Sequence, residues 1–255
     1  MSDKRIVFLH AFPCTGEMWA PQVAAVQEAG WQALAPDLPG FGAEPLPNAA
    51  PDLDVVADHV IADLDVVNTG PWVIAGVSLG GYVAMNLMRR FPKRVSAVLL
   101  CDTKATADGD QARANRERLA SICEAPGADV LRVLEQAVLP GLVGTTTHEE
   151  RSEVAERVRG WLASADGRSV AWYQRAMAAR PDSTGILTGF TAPSLVLWGA
   201  EDALSPAEEQ SLMTRALPDV REVVVPRVGH LANVEAPEIV SAAIVDFLDE
   251  VESGS

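Results

Sequence analysis

Three residue types that lie far apart in this 255-residue chain can together carry nucleophilic acyl transfer. Ser78 sits in Gly76-Val77-Ser78-Leu79-Gly80, behind the apolar run Trp72-Val73-Ile74-Ala75 and ahead of a stretch with helical apolar spacing. A strand, a sharp turn and a helix in that order lift a serine hydroxyl out of a sheet. A serine hydroxyl is a poor nucleophile at neutral pH unless an imidazole takes its proton as it attacks. Of the four histidines, His59 lies in an aspartate-rich helical stretch, His148 follows three threonines at a helix start, and His10 ends the first apolar run. His230 follows Gly229 beyond the last strand, on the side where open α/β sheets place their sites, and is the expected base. The imidazole in turn needs a carboxylate to fix its tautomer and stabilise its cation. Asp202, in the loop 199–206, is the preferred acid, and Asp102, ending the run 95–101, is the alternative. Glu201 is expected to be solvated and Asp37 to pin the loop it opens.

Attack on a carbonyl leaves an oxyanion that preset N–H groups must meet. Leu79 supplies one, at the positive end of the helix that follows Ser78. Phe12, in the loop after the first strand, is the candidate for the other, because Pro13 has no N–H. Trp19, Tyr82, Trp161 and Trp172 are candidates for an apolar pocket wall. An anionic substrate would call for an inward-facing cation, and Arg113, Arg116, Arg132, Arg159 and Arg175 are all available, with spacing that does not say which faces in.

The elements that would position these residues alternate. Apolar runs at 6–9, 31–35, 72–75, 95–101, 194–198 and 223–225 read as strands. Helical spacing falls at 18–30, 52–67, 79–91, 205–217 and 236–251. Strands that are continuously apolar suit a parallel sheet covered on both faces, so the fold class is α/β. From 104 to 190 the alternation stops. Helical stretches near 110–124, 128–138, 147–164 and 168–180 make an all-helical insertion with no strand. The expected organisation is a core of 1–103 and 191–255 carrying a helical cap, or lid, of 104–190.

Composition narrows the rest. Hydrophobic residues make up 48% and charged ones 22%, an ordinary globular balance. The net charge of −15 argues against nucleic acid and anionic membrane surfaces as partners. The insertion is nearly neutral, with eleven Lys and Arg against twelve Asp and Glu, so the acidic excess belongs to the sheet part. Three cysteines, none in a CxxC pair, fit a reduced compartment. The first apolar run is too short for a signal segment, and nothing approaches the roughly 20 apolar residues of a membrane span. A cytoplasmic protein is expected, with residues 252–255 as a loose tail. No metal-ligand spacing and no dinucleotide fingerprint is present, so no cofactor and no metal is implied.

These motifs together resemble the α/β-hydrolase superfamily. His10-Ala11-Phe12-Pro13 is similar to its His-Gly-x-Pro oxyanion loop, with Ala11 replacing the usual glycine. Asp37-Leu38-Pro39-Gly40-Phe41-Gly42 resembles its Asp-x-Pro-Gly-x-Gly loop. Gly76 to Gly80 resembles its nucleophile elbow, Gly199-Ala200-Glu201-Asp202 its acid loop, and Gly229-His230 its histidine loop. The resemblance implies a mostly parallel eight-stranded sheet flanked by helices, with the cap inserted after the sixth strand. Within the superfamily the chain is similar to cofactor-free esterases, the 3-oxoadipate enol-lactonase group and cofactor-free perhydrolases. The expected activity is hydrolysis of small carboxylic esters or lactones through an acyl-enzyme. The same residues leave perhydrolysis or C–C hydrolysis open. So is a small-ligand receptor that retains the fold, and so is a homo-oligomer.

Overall fold

The computed structural model describes residues 4–253. Its first half alternates strand and helix: β1 (Arg5–Leu9), α1 (Ala20–Glu28), β2 (Gln32–Leu34), α2 (Leu53–Val67), β3 (Trp72–Val77), α3 (Leu79–Arg90) and β4 (Val95–Cys101). Seven helices follow: α4 (Asp110–Cys123), α5 (Val130–Ala137), α6 (Leu139–Leu142), α7 (Thr145–Glu150), α8 (Ser152–Ser164), α9 (Gly167–Ala179) and α10 (Thr184–Thr188). The alternation resumes with β5 (Ser194–Gly199), α11 (Ala207–Ala216) and β6 (Val220–Val225), and the chain closes with α12 (Ala232–Glu235) and α13 (Pro237–Ser253). Of the expected loose tail, Glu252 and Ser253 belong to α13, and residues 254–255 lie outside the described residues, as do residues 1–3 of the expected core.

All strand pairs are parallel, in the order β2-β1-β3-β4-β5-β6. Among the described residues the sheet has six strands, not the expected eight. The count of eight came with the family resemblance, whereas the chain itself holds six apolar runs, and those are the six strands. The helical insertion accordingly follows the fourth strand. Every residue of β1 and β3 is buried, as the continuous apolar runs require. β6 is an edge strand with residues half open to solvent. Polar Arg221 and Glu222 therefore fit into it, and it begins at Val220 rather than at 223. Arg221 reaches over to Glu250 of α13 at 2.8 Å.

Other boundaries differ for local reasons. The expected helix 147–164 breaks at Arg151, whose φ of −134° and ψ of 55° are not helical, giving α7 and α8. The short α6 and α10 lie below the length at which apolar periodicity can be read. α2 starts where Asp52 caps it, its carboxylate accepting the Asp54 N–H at 2.9 Å. The aspartates along α2 are largely paired: Asp54 with Arg89, Asp58 with Arg90 and Asp65 with Arg94.

The strand order creates the site. The chain goes from β1 out to β2, then returns to the other side of β1 for β3. Adjacent strands whose connections leave in opposite directions open a crevice at their carboxyl ends. The loops carrying Phe12 and Ser78 flank that crevice. Close packing of α3 on the sheet demands glycine at Gly80, where a Cβ would stand 2.1 Å from the Leu9 carbonyl oxygen of β1. Gly80→Ala is expected to cost on the order of 1–3 kcal/mol through forced backbone movement, read as a lower urea midpoint with an unchanged slope.

Candidate active site

Ser78 stands between β3 and α3 with φ 53° and ψ −113°, a left-handed backbone that non-glycine residues avoid. Four hydrogen bonds hold its backbone there. Its N–H donates to the Cys101 carbonyl at 3.0 Å, and its own carbonyl accepts from Gly81 N–H at 3.0 Å, from Tyr82 N–H at 3.3 Å and from the Thr103 hydroxyl at 2.8 Å. Its hydroxyl lies 2.7 Å from His230 Nε2, across 152 residues of chain. His230 Nδ1 lies 3.0 and 2.9 Å from the two Asp202 oxygens. Burial alone would push the Asp202 carboxyl up. The charge and hydrogen bond of His230, with the bonds from Ser205, outweigh that and hold it down at about 2. An ionised carboxylate only accepts. His230 therefore carries its proton on Nδ1, which leaves Nε2 to accept from the Ser78 hydroxyl.

Asp202 is itself held. Its Oδ1 accepts the Leu204 N–H at 2.8 Å and the Ser205 N–H at 3.1 Å, and the Ser205 hydroxyl donates to Oδ2. Ser205 is a participant that no sequence motif marks. Asp102, the alternative acid, does not touch His230. Fully buried, it accepts from Gly199 N–H at 2.8 Å and Ala232 N–H at 3.0 Å, tying the start of the acid loop to the end of the histidine loop. Burial and the neighbouring Asp202 raise its pKa well above the usual carboxylate range. Glu235, in α12, completes the clamp: Oε1 accepts from Gly229 N–H at 2.9 Å and Leu231 N–H at 3.3 Å, the residues flanking His230. Its Oε2 accepts from Gly144 N–H at 2.9 Å. Glu201, expected to be solvated, is half-buried and also has a partner: it accepts the Thr146 N–H at 2.8 Å at the start of α7.

The other histidines are elsewhere. His10 is fully buried, and its Nε2 accepts the Leu38 N–H at 2.8 Å while Nδ1 faces the Ala11 carbonyl at 2.9 Å. Burial lowers its pKa to about 4. It anchors the 37–42 loop to the end of the first strand, and Asp37 ties that loop to the segment after the strand by accepting the Gly16 N–H at 2.8 Å. His59 faces Glu44 and Asp63 at the surface, and His148 is exposed on α7. Among the described residues neither the Phe12 nor the Leu79 N–H donates to another group of the chain. No three His, Cys, Asp or Glu side chains among them come together to hold a metal ion, and no helix is long and apolar enough to cross a membrane. Cys14, Cys101 and Cys123 are free and buried.

A cavity of about 750 Å³ opens above Ser78 and His230. Phe12 and Tyr82 line it. The three tryptophan candidates do not. Trp19 is fully buried against Phe8, with ring centroids 4.9 Å apart. Trp161 lines a separate cavity with Glu17 and Asp37, and Trp172 is tied to the Ala49 carbonyl at 2.9 Å. The apolar wall is aliphatic, with Leu119 and Ile122 of α4, Val133 of α5, Leu142 of α6 and Leu204 of the acid loop. Of the five candidate arginines only Arg116 faces this cavity. Arg159 pairs with Glu135, Arg175 with Glu117 and Glu124, and Arg113 with Asp110.

Residues 6–243 match the alpha/beta hydrolase family. The pimeloyl-[acyl-carrier protein] methyl ester esterase of Neisseria meningitidis serogroup A is 30% identical over 227 residues, 88% of this chain and 70% of that protein. The dihydrolipoyllysine-residue acetyltransferase component of the acetoin cleaving system of Pseudomonas putida is 29% identical over 95% of this chain, which spans 63% of that protein's length. Among solved structures, a thermophilic esterase from Thermogutta terrifontis with malate bound superposes with a TM-score of 0.91. It is 35% identical, and the match covers 98% of this chain and 91% of that one.

The Asp202 carboxyl, lowered from 3.8 to about 2, contributes stability that is complete above about pH 5 and lost as pH falls through about 2. Urea unfolding from pH 6 down to pH 2 should show Asp202→Ala losing less stability over this range than the parent, by on the order of 2 kcal/mol.

Proposed function

The chain belongs to the alpha/beta hydrolase family, and we propose that it is a serine hydrolase of small carboxylic esters or lactones. The observation that carries this reading is the run of hydrogen bonds from the Ser78 hydroxyl to His230 and on to Asp202. As Ser78 Oγ bonds to the ester carbonyl carbon, His230 Nε2 takes the hydroxyl proton, and the Nδ1–H keeps its bond to Asp202. The carbonyl oxygen becomes an oxyanion, for which the N–H groups of Phe12 and Leu79 are the donors. Collapse of that intermediate breaks the bond to the alkoxy group, which leaves with the proton from His230. Water then enters, gives a proton to His230 and attacks the acyl-enzyme. Return of that proton to Ser78 Oγ frees the acid. Separated charge in a site shielded from bulk water is stabilised by such fixed dipoles more strongly than by bulk solvent. The helical segment 104–190 acts as a lid on the core, since α4, α5 and α6 wall the cavity over Ser78.

Purified protein is expected to hydrolyse p-nitrophenyl acetate. Ser78→Ala should lower kcat by at least about a thousandfold with unchanged circular dichroism, and Asp202→Asn by about a thousand- to ten-thousandfold. Full activity in Ser78→Ala would overturn the mechanism.

A further inference from the structure

The lining of the cavity over Ser78 includes a charged cluster, although the chain as a whole is strongly acidic. At its centre is Asp108, whose side chain is 1% exposed. Three cations converge on this one carboxylate: Arg180 on Oδ1 at 2.9 Å, Lys104 on Oδ1 at 3.4 Å, and Arg116 through Nε on Oδ2. The nearby Glu209 carboxylate accepts the Thr106 hydroxyl at 2.8 and 2.9 Å. Arg180 is fully engaged: it also donates to the Met177 and Thr106 carbonyls at 2.8 and 2.9 Å, and its guanidinium lies 4.0 Å over the Tyr82 ring.

Lys104 and Arg116 are not used up in this way. Arg116 Nη1 reaches Gln174 Oε1 at 3.2 Å and Met177 Sδ at 3.5 Å. Among the described residues its Nη2 has no partner, and the Lys104 ammonium has none besides Asp108. Both side chains line the cavity that contains Ser78, about one-fifth exposed. Arg118, exposed at the rim, adds charge of the same sign. The cluster is also near the nucleophile. Thr103, whose hydroxyl bonds the Ser78 carbonyl, immediately precedes Lys104, and Tyr82, one turn beyond Ser78, lies beneath Arg180. Much of the remaining lining is aliphatic, beginning with Leu119 one turn from Arg116 on α4.

The geometry points to an anion subsite formed by Lys104 and Arg116, and to half-esters as the preferred substrates, that is, carboxylic esters bearing a second, ionised carboxylate. This rests on the ester-hydrolase reading of Ser78 and names the substrate class of that same site. A compact carboxylate accepts from both free donor groups, and charge-assisted bonds of this kind are the strong ones. A neutral diester would enclose the same donors with only weak acceptors to meet them, and that costs free energy. The aliphatic side chains of the lining take the remaining carbon chain.

The test measures kcat/KM for monomethyl succinate, glutarate and adipate against their dimethyl esters, with p-nitrophenyl acetate as the check on Ser78-dependent turnover. The best half-ester should exceed its diester by at least about tenfold, the scale of one hydrogen bond to a charged group. Lys104→Met and Arg116→Gln should each pull that ratio toward one, and Lys104→Arg should restore it. If p-nitrophenyl acetate is turned over through Ser78 and no half-ester is preferred at any length, the subsite is overturned while the hydrolase reading stands. If no ester is turned over, the hydrolase reading fails, and calorimetric titration with free glutarate decides the subsite. Saturable binding that Lys104→Met weakens about tenfold would then uphold it, and no binding would overturn it.

Discussion

The contact between the Ser78 hydroxyl and the His230 ring is the one on which the rest of the arrangement depends. Its two residues are delivered by β3 and β6, with β4 and β5 between them. At about 4.8 Å per strand the parent strands lie roughly 14 Å apart, so loops must close the gap and then stay still. Backbone N–H groups bound to buried carboxylates do this. Asp102 joins the roots of the acid and histidine loops, Glu235 brackets His230 on both sides, and Asp202 organises the turn that carries it. Each of these carboxylates has oxygens that accept N–H bonds, which is what makes burying it tolerable. The acidic side chains are thus of two kinds, those facing water and those acting as internal fasteners.

The same carboxylates show where sequence stops being informative. Ser78, His230 and Asp202 could be picked out because each sits at a strand end with a local signature of glycine, proline or turn residues. Glu235 has no such signature. Its partner Gly144 is 91 positions away, and only the folded chain brings them together. Ser205 is likewise indistinguishable from any loop serine until its hydroxyl is seen on Asp202. The family resemblance implies eight strands, while the apolar runs themselves indicate six, the number found among the described residues. Of the four aromatic candidates for the pocket wall, Tyr82 lines the cavity and the tryptophans do not. A tryptophan is large enough to fill either a core or a cleft, and Trp19 fills the core against Phe8.

The helical segment was readable as helices but not as faces. α4 turns Arg116 and Leu119 inward, while Arg113 and Arg118 on the same helix are exposed. That choice is made by packing against α9, where Arg175 is drawn outward by Glu117 and Glu124. The side chains over Ser78 are therefore set by contacts between helices, and His230 and Asp202 by hydrogen bonds among the loops at the sheet's edge. The two sets meet at Gly144 and Glu235, where the segment is bonded to the histidine loop.

Among the described residues, three that are not glycine have positive φ: Ser78, Asp102 and Arg227. Ser78 and Asp102 follow the last residues of β3 and β4 directly, and Arg227 comes two positions after β6. All three lie at the carboxyl edge of the sheet, and the opposite edge has none. Residues held in such conformations cost roughly 1–3 kcal/mol each and persist only where their surroundings enforce them. The fold is consequently lopsided in its thermodynamics. Its conformational debt is concentrated along the edge that carries Ser78, Asp202 and His230, and the well-packed strands beneath keep that edge in place at the expense of stability the molecule could otherwise have had.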